Sequence, residues 1–142
     1  MFNSKGCFRS GESVTSAIER IMRFAKDKGV RLFAILFNCS QPEAISSALN
    51  SIHSNEELLD QMKRDKINLG AYANKLTPIQ EDWSMETSTQ PQAMRYDLSP
   101  RNYYERFVMH WTKHCHTTII GGCCGITPKH IEYLNEQLHQ NK

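Results

Sequence analysis

Thr117-Thr118-Ile119-Ile120-Gly121-Gly122-Cys123-Cys124-Gly125-Ile126-Thr127-Pro128 is the stretch on which the fold turns. From left to right it is a β-branched run, a glycine-rich turn, and a helix opening set by Thr and Pro. β-Branched residues favour a strand, and Pro is accepted in the first turn of a helix. The same order occurs twice upstream. Val30 to Phe37 (VRLFAILF) is nearly all apolar after Arg31, which suits a strand buried on both faces. It ends at Asn38-Cys39, and Ser40-Gln41-Pro42-Glu43 then reads as a helix start, with Ser40 as cap and Glu43 completing a capping box. Ala44, Ile45, Ala48, Leu49 and Ile52 form the buried stripe of that helix, and a short helical piece follows around Leu58, Leu59 and Met62. Ile67 to Ala73 reads as a further strand, interrupted by Gly70.

The remaining segments complete the order. Val14, Ala17, Ile18, Ile21, Met22 and Ala25 recur at helical spacing ahead of the stop signal Gly29. Ser99-Pro100 opens a helix striped by Tyr103, Tyr104, Phe107, Val108 and Trp111, and the last helix turns Ile131, Leu134 and Leu138 inward. Between Leu76 and Leu98 the chain is polar and without period, a long loop of the kind that is often functional. Trp83 and Tyr96 lie in it, with packing the favoured reading and shielding of a site the other. One helix followed by three strand-helix units predicts an α/β fold with three parallel strands, flanking helices and right-handed crossovers.

The bulk numbers narrow the function. The 142 residues, 39% hydrophobic and 23% charged, suit one ordinary globular domain. A net charge of +2 with scattered Lys and Arg leaves no footprint for nucleic acid or an anionic membrane. No apolar run approaches the ~20 residues that span a bilayer, and residues 1–10 carry no targeting pattern, so the cytoplasm is expected. Five cysteines is an odd count, and the adjacent pair is poor material for a disulfide framework. Reduced thiols then serve as small buried hydrophobes, as nucleophiles or as metal ligands.

Placement distinguishes Cys39, Cys123 and Cys124 from Cys7 and Cys115. In parallel strand-helix folds the loops after the strands share one rim, and ligands bind there. Cys39 follows the first strand, and the vicinal pair follows the third. Strands two apart are separated by roughly 10 Å, a gap that two leaning side chains and a metal with ~2.3 Å bonds to sulfur can close. Gly121, Gly122 and Gly125 permit the positive φ or close approach that a shared ion would require of the turn. The plain alternative is a tight strand-to-helix turn with incidental cysteines. Three thiolates without a C-x-x-C pair leave an open coordination position, and such a site suits an incoming thiol that attacks an activated methyl group.

These residues resemble a known family. Asn38-Cys39, then Gly70-Ala71-Tyr72-Ala73-Asn74, then Ile119 to Ile131 with its G-G-C-C-G-x-T-P-x-H-I pattern, are similar to the homocysteine S-methyltransferases. The resemblance runs from about Gly11 to Leu138 and covers the C-terminal half of the family's barrel. It implies a partial TIM (β/α)8 barrel, residues 1–142 being the C-terminal part of a homocysteine-binding domain and 76–98 its long loop. A whole barrel runs to ~250 residues. It further implies Zn2+ held by Cys39, Cys123 and Cys124, no catalytic residue beyond those ligands, and Asn38 and Asn74 near the substrate. The implied reaction is methyl transfer to homocysteine, giving methionine, with S-methylmethionine, S-adenosylmethionine or betaine as donor. Against the family pattern, Ala73 stands where Pro is frequent, and His114-Cys115-His116 where a Gly is usual.

An open half-barrel exposes strand edges and interior positions. That points to a truncated product or fragment of a longer enzyme, to a homodimer that closes a pseudo-barrel, or to a marginal apo fold, and it motivates a second functional reading, a non-catalytic zinc- or thiol-binding partner of a full-length relative. A redox switch at Cys123 and Cys124 is a third functional reading. His110 and His114 lie one helical turn apart with His116 nearby, but no carboxylate completes a site, and a helix C-terminus favours His through its dipole. His130, in the first turn of the last helix, suits a cap as readily as chemistry.

Overall fold

The computed structural model describes residues 7–8, 10–78 and 92–140 of the chain. Helix α1 (Val14–Asp27) leads into strand β1 (Ala34–Asn38), then α2 (Pro42–His53), α3 (Glu56–Arg64) and β2 (Asn68–Tyr72). After the long loop come α4 (Pro100–Tyr103), a π-helical stretch (Tyr104–Val108) and α5 (Met109–Lys113), which run on without a break. Strand β3 (Ile119–Ile120) and helix α6 (Pro128–Gln140) close the order. The strands lie side by side as β1-β2-β3, and both pairings are parallel. The chain is thus α/β, one open parallel sheet with flanking helices, the arrangement of a partial barrel.

Local chemistry sets most boundaries, at Ser99 as the sequence predicts. Ser13 caps α1 by accepting from the Ser16 N–H at 3.1 Å, and Ser99 caps α4 by accepting from the Asn102 N–H at 3.2 Å. Asn55 caps α3 through the Leu58 N–H at 3.1 Å. The start of α2 differs from the expectation. Its N-cap is Gln41, with no side-chain cap, and Glu43 pairs with Arg95 instead of closing a capping box.

Side chains alternate across the sheet, so register assigns its faces. Leu36, Gly70 and Ile119 are in register on one face, and Phe37, Ala71 and Ile120 on the other. The second face is the core: Phe37, Leu69, Ala71 and Ala73 are buried with the α2, α3 and α4–α5 residues Ile45, Leu49, Ile52, Leu58, Met62, Tyr103, Val108 and Trp111. The first face is open, and here the expectation of a strand buried on both sides fails. Leu36 is 47% exposed, and ahead of the strand Phe33 and Val30 are exposed too. β1 is an edge strand of this open sheet, and Leu36 and Asn38 on that face are left exposed to solvent. Ile21 on α1 and Ile131 on α6, expected to face inward, are likewise exposed. Where the open face is closely packed, glycine makes it possible. A Cβ on Gly70 would sit 2.4 Å from Leu36 Cδ2.

The long loop is tied at its base. Leu76 and Met94 form an antiparallel bridge, the Thr77 N–H donates to the Ala93 carbonyl (2.8 Å), and the Arg95 N–H to the Lys75 carbonyl (2.8 Å). Trp83 lies outside the described residues. Tyr96 is 97% exposed, so it does not pack the loop down. Among the described residues no helix is long and apolar enough to cross a membrane.

Candidate metal centre

Three chain segments meet at the C-terminal end of the sheet, and backbone hydrogen bonds carry the ladder past the strands. The Cys39 N–H donates to the Tyr72 carbonyl at 2.9 Å, which extends the β1–β2 pairing by one residue. The Asn74 N–H donates to the Ser40 carbonyl at 3.0 Å on the same side. On the other side of the β2 extension, the Cys123 N–H donates to the Ala73 carbonyl at 2.8 Å. The Lys75 N–H donates to the Cys124 carbonyl at 2.7 Å. The end of β2 is therefore the spacer that fixes how far Cys39 stands from the vicinal pair.

Two backbone positions are unusual. Cys39 has φ 53, the left-handed region that a residue with a Cβ enters at a cost of about 1–2 kcal/mol. At that point the chain leaves β1 for α2. Gly125 has φ 79, and the Ile126 N–H closes the thiol turn on the Cys123 carbonyl at 3.0 Å. Gly121 and Gly122, expected to supply positive φ as well, serve by close approach. A Cβ on Gly121 would lie 2.3 Å from the Tyr72 ring, and one on Gly122 would lie 2.2 Å from Ile126 Cγ2.

The outcome is a compact group of sulfurs. Cys39 Sγ and Cys123 Sγ each lie 3.8 Å from Cys124 Sγ, and all three atoms fall within 4.8 Å of one another. A tetrahedral ion with ~2.3 Å bonds to sulfur spaces its thiolates ~3.8 Å apart. The thiols are free, and a disulfide would need ~2.05 Å. No His, Asp or Glu joins the group among the described residues, and Cys124 is exposed, so the solvent side is open to a fourth ligand. Soft sulfur donors in this geometry fit a thiophilic divalent ion.

The charge balance points the same way. Burial works against ionisation of Cys39, but hydrogen bonds from Cys123, Cys124 and Asn74 outweigh it and hold the thiol below its ordinary value. Burial pushes the Cys123 thiol up to about 11, and the neighbouring Cys39 adds to the rise. The cluster thus supports one thiolate readily and resists a second, as like charges packed together must. A cation would remove that resistance.

The two asparagines differ in role. Asn38 is exposed at the rim, in register with Tyr72, on the same open face as Leu36. Asn74 is 1% exposed and its amide is engaged within the protein. Its Nδ2 donates to the Cys39 carbonyl at 2.9 Å, and its Oδ1 accepts from Gln41 Nε2 at 3.1 Å and the Leu76 N–H at 3.2 Å. Gln41, and Arg95 behind it, escaped the sequence reading. The one signal was a Gln at a helix N-cap, a poor capping residue whose side chain is free for another task.

The histidines take structural positions. His130 Nδ1 accepts from the Thr127 N–H at 3.1 Å at the start of α6, so its Nε2–H donates to the Leu98 carbonyl at 3.0 Å. His110 Nε2 (2.9 Å) and Cys115 Sγ (3.4 Å) share Asn50 Oδ1, and His114 stacks on His110. This group spans α5 and the turn that leads from it to β3, at the sheet end away from the thiols. Tyr103, buried under the site, donates its hydroxyl proton to the Gly121 carbonyl at 2.9 Å.

Comparison with known proteins agrees with the geometry. The family model described as homocysteine S-methyltransferase matches residues 1–138. No solved structure matches the chain.

Proposed function

The chain belongs to the homocysteine S-methyltransferase family, and on that premise we propose that it binds Zn2+ through Cys39, Cys123 and Cys124 and transfers a methyl group to the thiol of homocysteine, giving methionine. The observation that carries this reading is the set of three Sγ atoms within 4.8 Å of one another on one rim, two of the pairs at the ~3.8 Å that a tetrahedral ion imposes. When bound, zinc supplies acidity to an incoming thiol at neutral pH and holds its sulfur as a nucleophile. The protein's own part is positional. The β2 extension spaces the ligands, Asn74 holds the Cys39 backbone, and Asn38 at the rim contacts the amino-acid end of homocysteine. In the reaction the homocysteine sulfur loses its proton and forms a bond to the methyl carbon, while the bond from that carbon to the donor's sulfur or nitrogen breaks. The donor is S-methylmethionine, S-adenosylmethionine or betaine. Residues 1–142 act as the C-terminal part of a homocysteine-binding domain, and the free thiols suit the reducing cytoplasm.

A second reading rests on the open face. With Leu36 47% exposed beside an unpaired edge of β1, the chain fits a zinc- or thiol-binding half-barrel that works within a larger assembly, either with its own copy or with a full-length relative. One experiment separates the two. The purified chain is assayed for zinc content and for methionine formation from homocysteine with each donor. One zinc with turnover supports the enzyme, and one zinc without turnover supports the half-barrel. A folded, reduced chain that holds no metal overturns both.

A further inference from the structure

The Cys39 backbone sits at the end of a chain of hydrogen bonds whose direction is set at its other end by Arg95. A guanidinium can only donate, and Arg95 has all five of its N–H groups engaged. Nε donates to Asp97 Oδ1 at 3.0 Å. Nη1 donates to Gln41 Oε1 at 2.9 Å and Glu43 Oε2 at 2.8 Å. Nη2 donates to Glu43 Oε1 at 2.7 Å and Asp97 Oδ2 at 2.8 Å. The side chain is 12% exposed, which places this fork well out of solvent.

An obligate donor at Gln41 fixes the orientation of the Gln41 amide. With Oε1 turned to Arg95, Nε2 must face the other way, where it donates to the Leu76 carbonyl at 2.7 Å and to Asn74 Oδ1 at 3.1 Å. Asn74 Oδ1 is thereby committed as an acceptor, and its Nδ2 is left to donate to the Cys39 carbonyl at 2.9 Å. Cys39 is the residue whose φ of 53 needs external support. Its N–H is held by Tyr72 and its carbonyl by Asn74.

From this polarity we infer that Gln41 and Arg95 are positioning residues for the Cys39 thiolate, coupling the seating of the residue 92–97 limb against α2 to the affinity of the three-cysteine site for its metal. The inference rests on the metal reading given above. Hydrogen-bond partners that orient metal ligands commonly change affinity by about 10–100-fold when removed. The coupling also runs in reverse, since any ligand that favours the ordered Cys39 geometry also favours the docked Arg95.

The test uses Co2+ as the metal probe on the full reduced chain, comparing wild type with Gln41→Ala, Gln41→Glu and Arg95→Met. Readouts are the thiolate-to-cobalt charge-transfer band, the ligand-field bands and zinc affinity by chelator competition, each beside a thermal melt of the metal-free chain. Gln41→Glu is the discriminating variant. It is nearly isosteric and keeps its acceptor toward Arg95, but it presents an acceptor to Asn74 Oδ1 and so reverses the amide needed at Cys39. The expected result is a loss of affinity of about tenfold or more for Gln41→Ala and Gln41→Glu alike, with altered ligand-field bands. Arg95→Met should fall in the same direction. Wild-type affinity and spectrum in Gln41→Glu overturn the inference, even if Gln41→Ala or Arg95→Met fails to fold. Absence of a sulfur-to-cobalt band in the wild type instead overturns the metal reading itself.

Discussion

Replacing Gly125 by Ala tests how tightly the thiol turn is built. At φ 79 any residue with a Cβ is strained, which costs about 1–2 kcal/mol. The new methyl would also sit 2.9 Å from Lys75 Cβ and 2.6 Å from Met94 Sδ. Met94 can swing its sulfur away. Lys75 Cβ moves only with its backbone, and that backbone donates to the Cys124 carbonyl at 2.7 Å. Loss of one such bond adds about 1 kcal/mol, for a total of about 2–3 kcal/mol. Gly29→Ala is the matched control, since Gly29 has φ 63 and nothing within 4 Å of its would-be Cβ. It suffers the left-handed strain alone, and the unfolded-state effect of Gly→Ala is common to both variants. For a domain of this size each kcal/mol moves the melting point by about 3 °C, so about 6–9 °C is expected for Gly125→Ala and about 3–6 °C for Gly29→Ala. Zinc affinity should drop only in Gly125→Ala, because only that change displaces the carbonyl of a thiol residue. Equal melting losses with unchanged zinc affinity would falsify the account of the turn.

Cys39→Ser should abolish stoichiometric zinc binding, measured by metal analysis after gel filtration, because a hydroxyl is a poor ligand beside two thiolates. Stability should fall on acidification below about pH 4. Arg95 and Arg106 hold the Asp97 carboxyl well below its usual range, and hydrogen bonds from Arg95 outweigh burial to lower that of Glu43. A depressed folded-state value contributes stability above the unfolded value, and that stability is lost as pH falls toward the folded one. Arg95→Met should therefore flatten a plot of melting temperature against pH in the acid range, and an unchanged slope would refute the assignment. Tyr103→Phe removes the partner of the Gly121 carbonyl and should cost about 1–2 kcal/mol in a urea titration.

How far the sequence could be read depends on whether a feature was encoded by neighbours or by distant contacts. Helices α1, α2 and the segment from Pro100 to Lys113 were legible because burial repeats along a helix. Tyr103, Phe107 and Trp111 are buried as their spacing predicts. The convergence of Cys39 with Cys123 and Cys124 was legible because parallel strands place their following loops on one rim. The open face was misread at β1, since an apolar run looks the same whether its neighbour is present or not. Leu36 shows the difference only by its exposure. The Arg95–Gln41–Asn74 chain was out of reach. It joins residues up to 54 positions apart through amide orientation, which no periodicity reports.

On the proposed function, the architecture separates metal binding from turnover. Every backbone bond that spaces the three thiols lies within β1, β2, β3 and their immediate loops: Cys39 to Tyr72, Cys123 to Ala73 and Lys75 to Cys124. The side-chain support from Asn74, Gln41 and Arg95 is equally local to this rim. Ligation therefore needs no element beyond the three strands, the start of α2 and the described limbs of the long loop. Methyl transfer asks for more, because a reacting sulfur and a donor carbon must be held in line and shielded from water. The face bearing Leu36 and Asn38, which would floor such a chamber, is open to solvent. A chain built in this way should hold zinc on its own with near-full affinity, while its turnover depends on whatever covers that face. Adding a full-length relative or raising the chain's own concentration should then raise methionine formation per zinc without changing zinc stoichiometry. If zinc binding itself rises in step with assembly, the two properties are not separable and the rim is incomplete in the isolated chain.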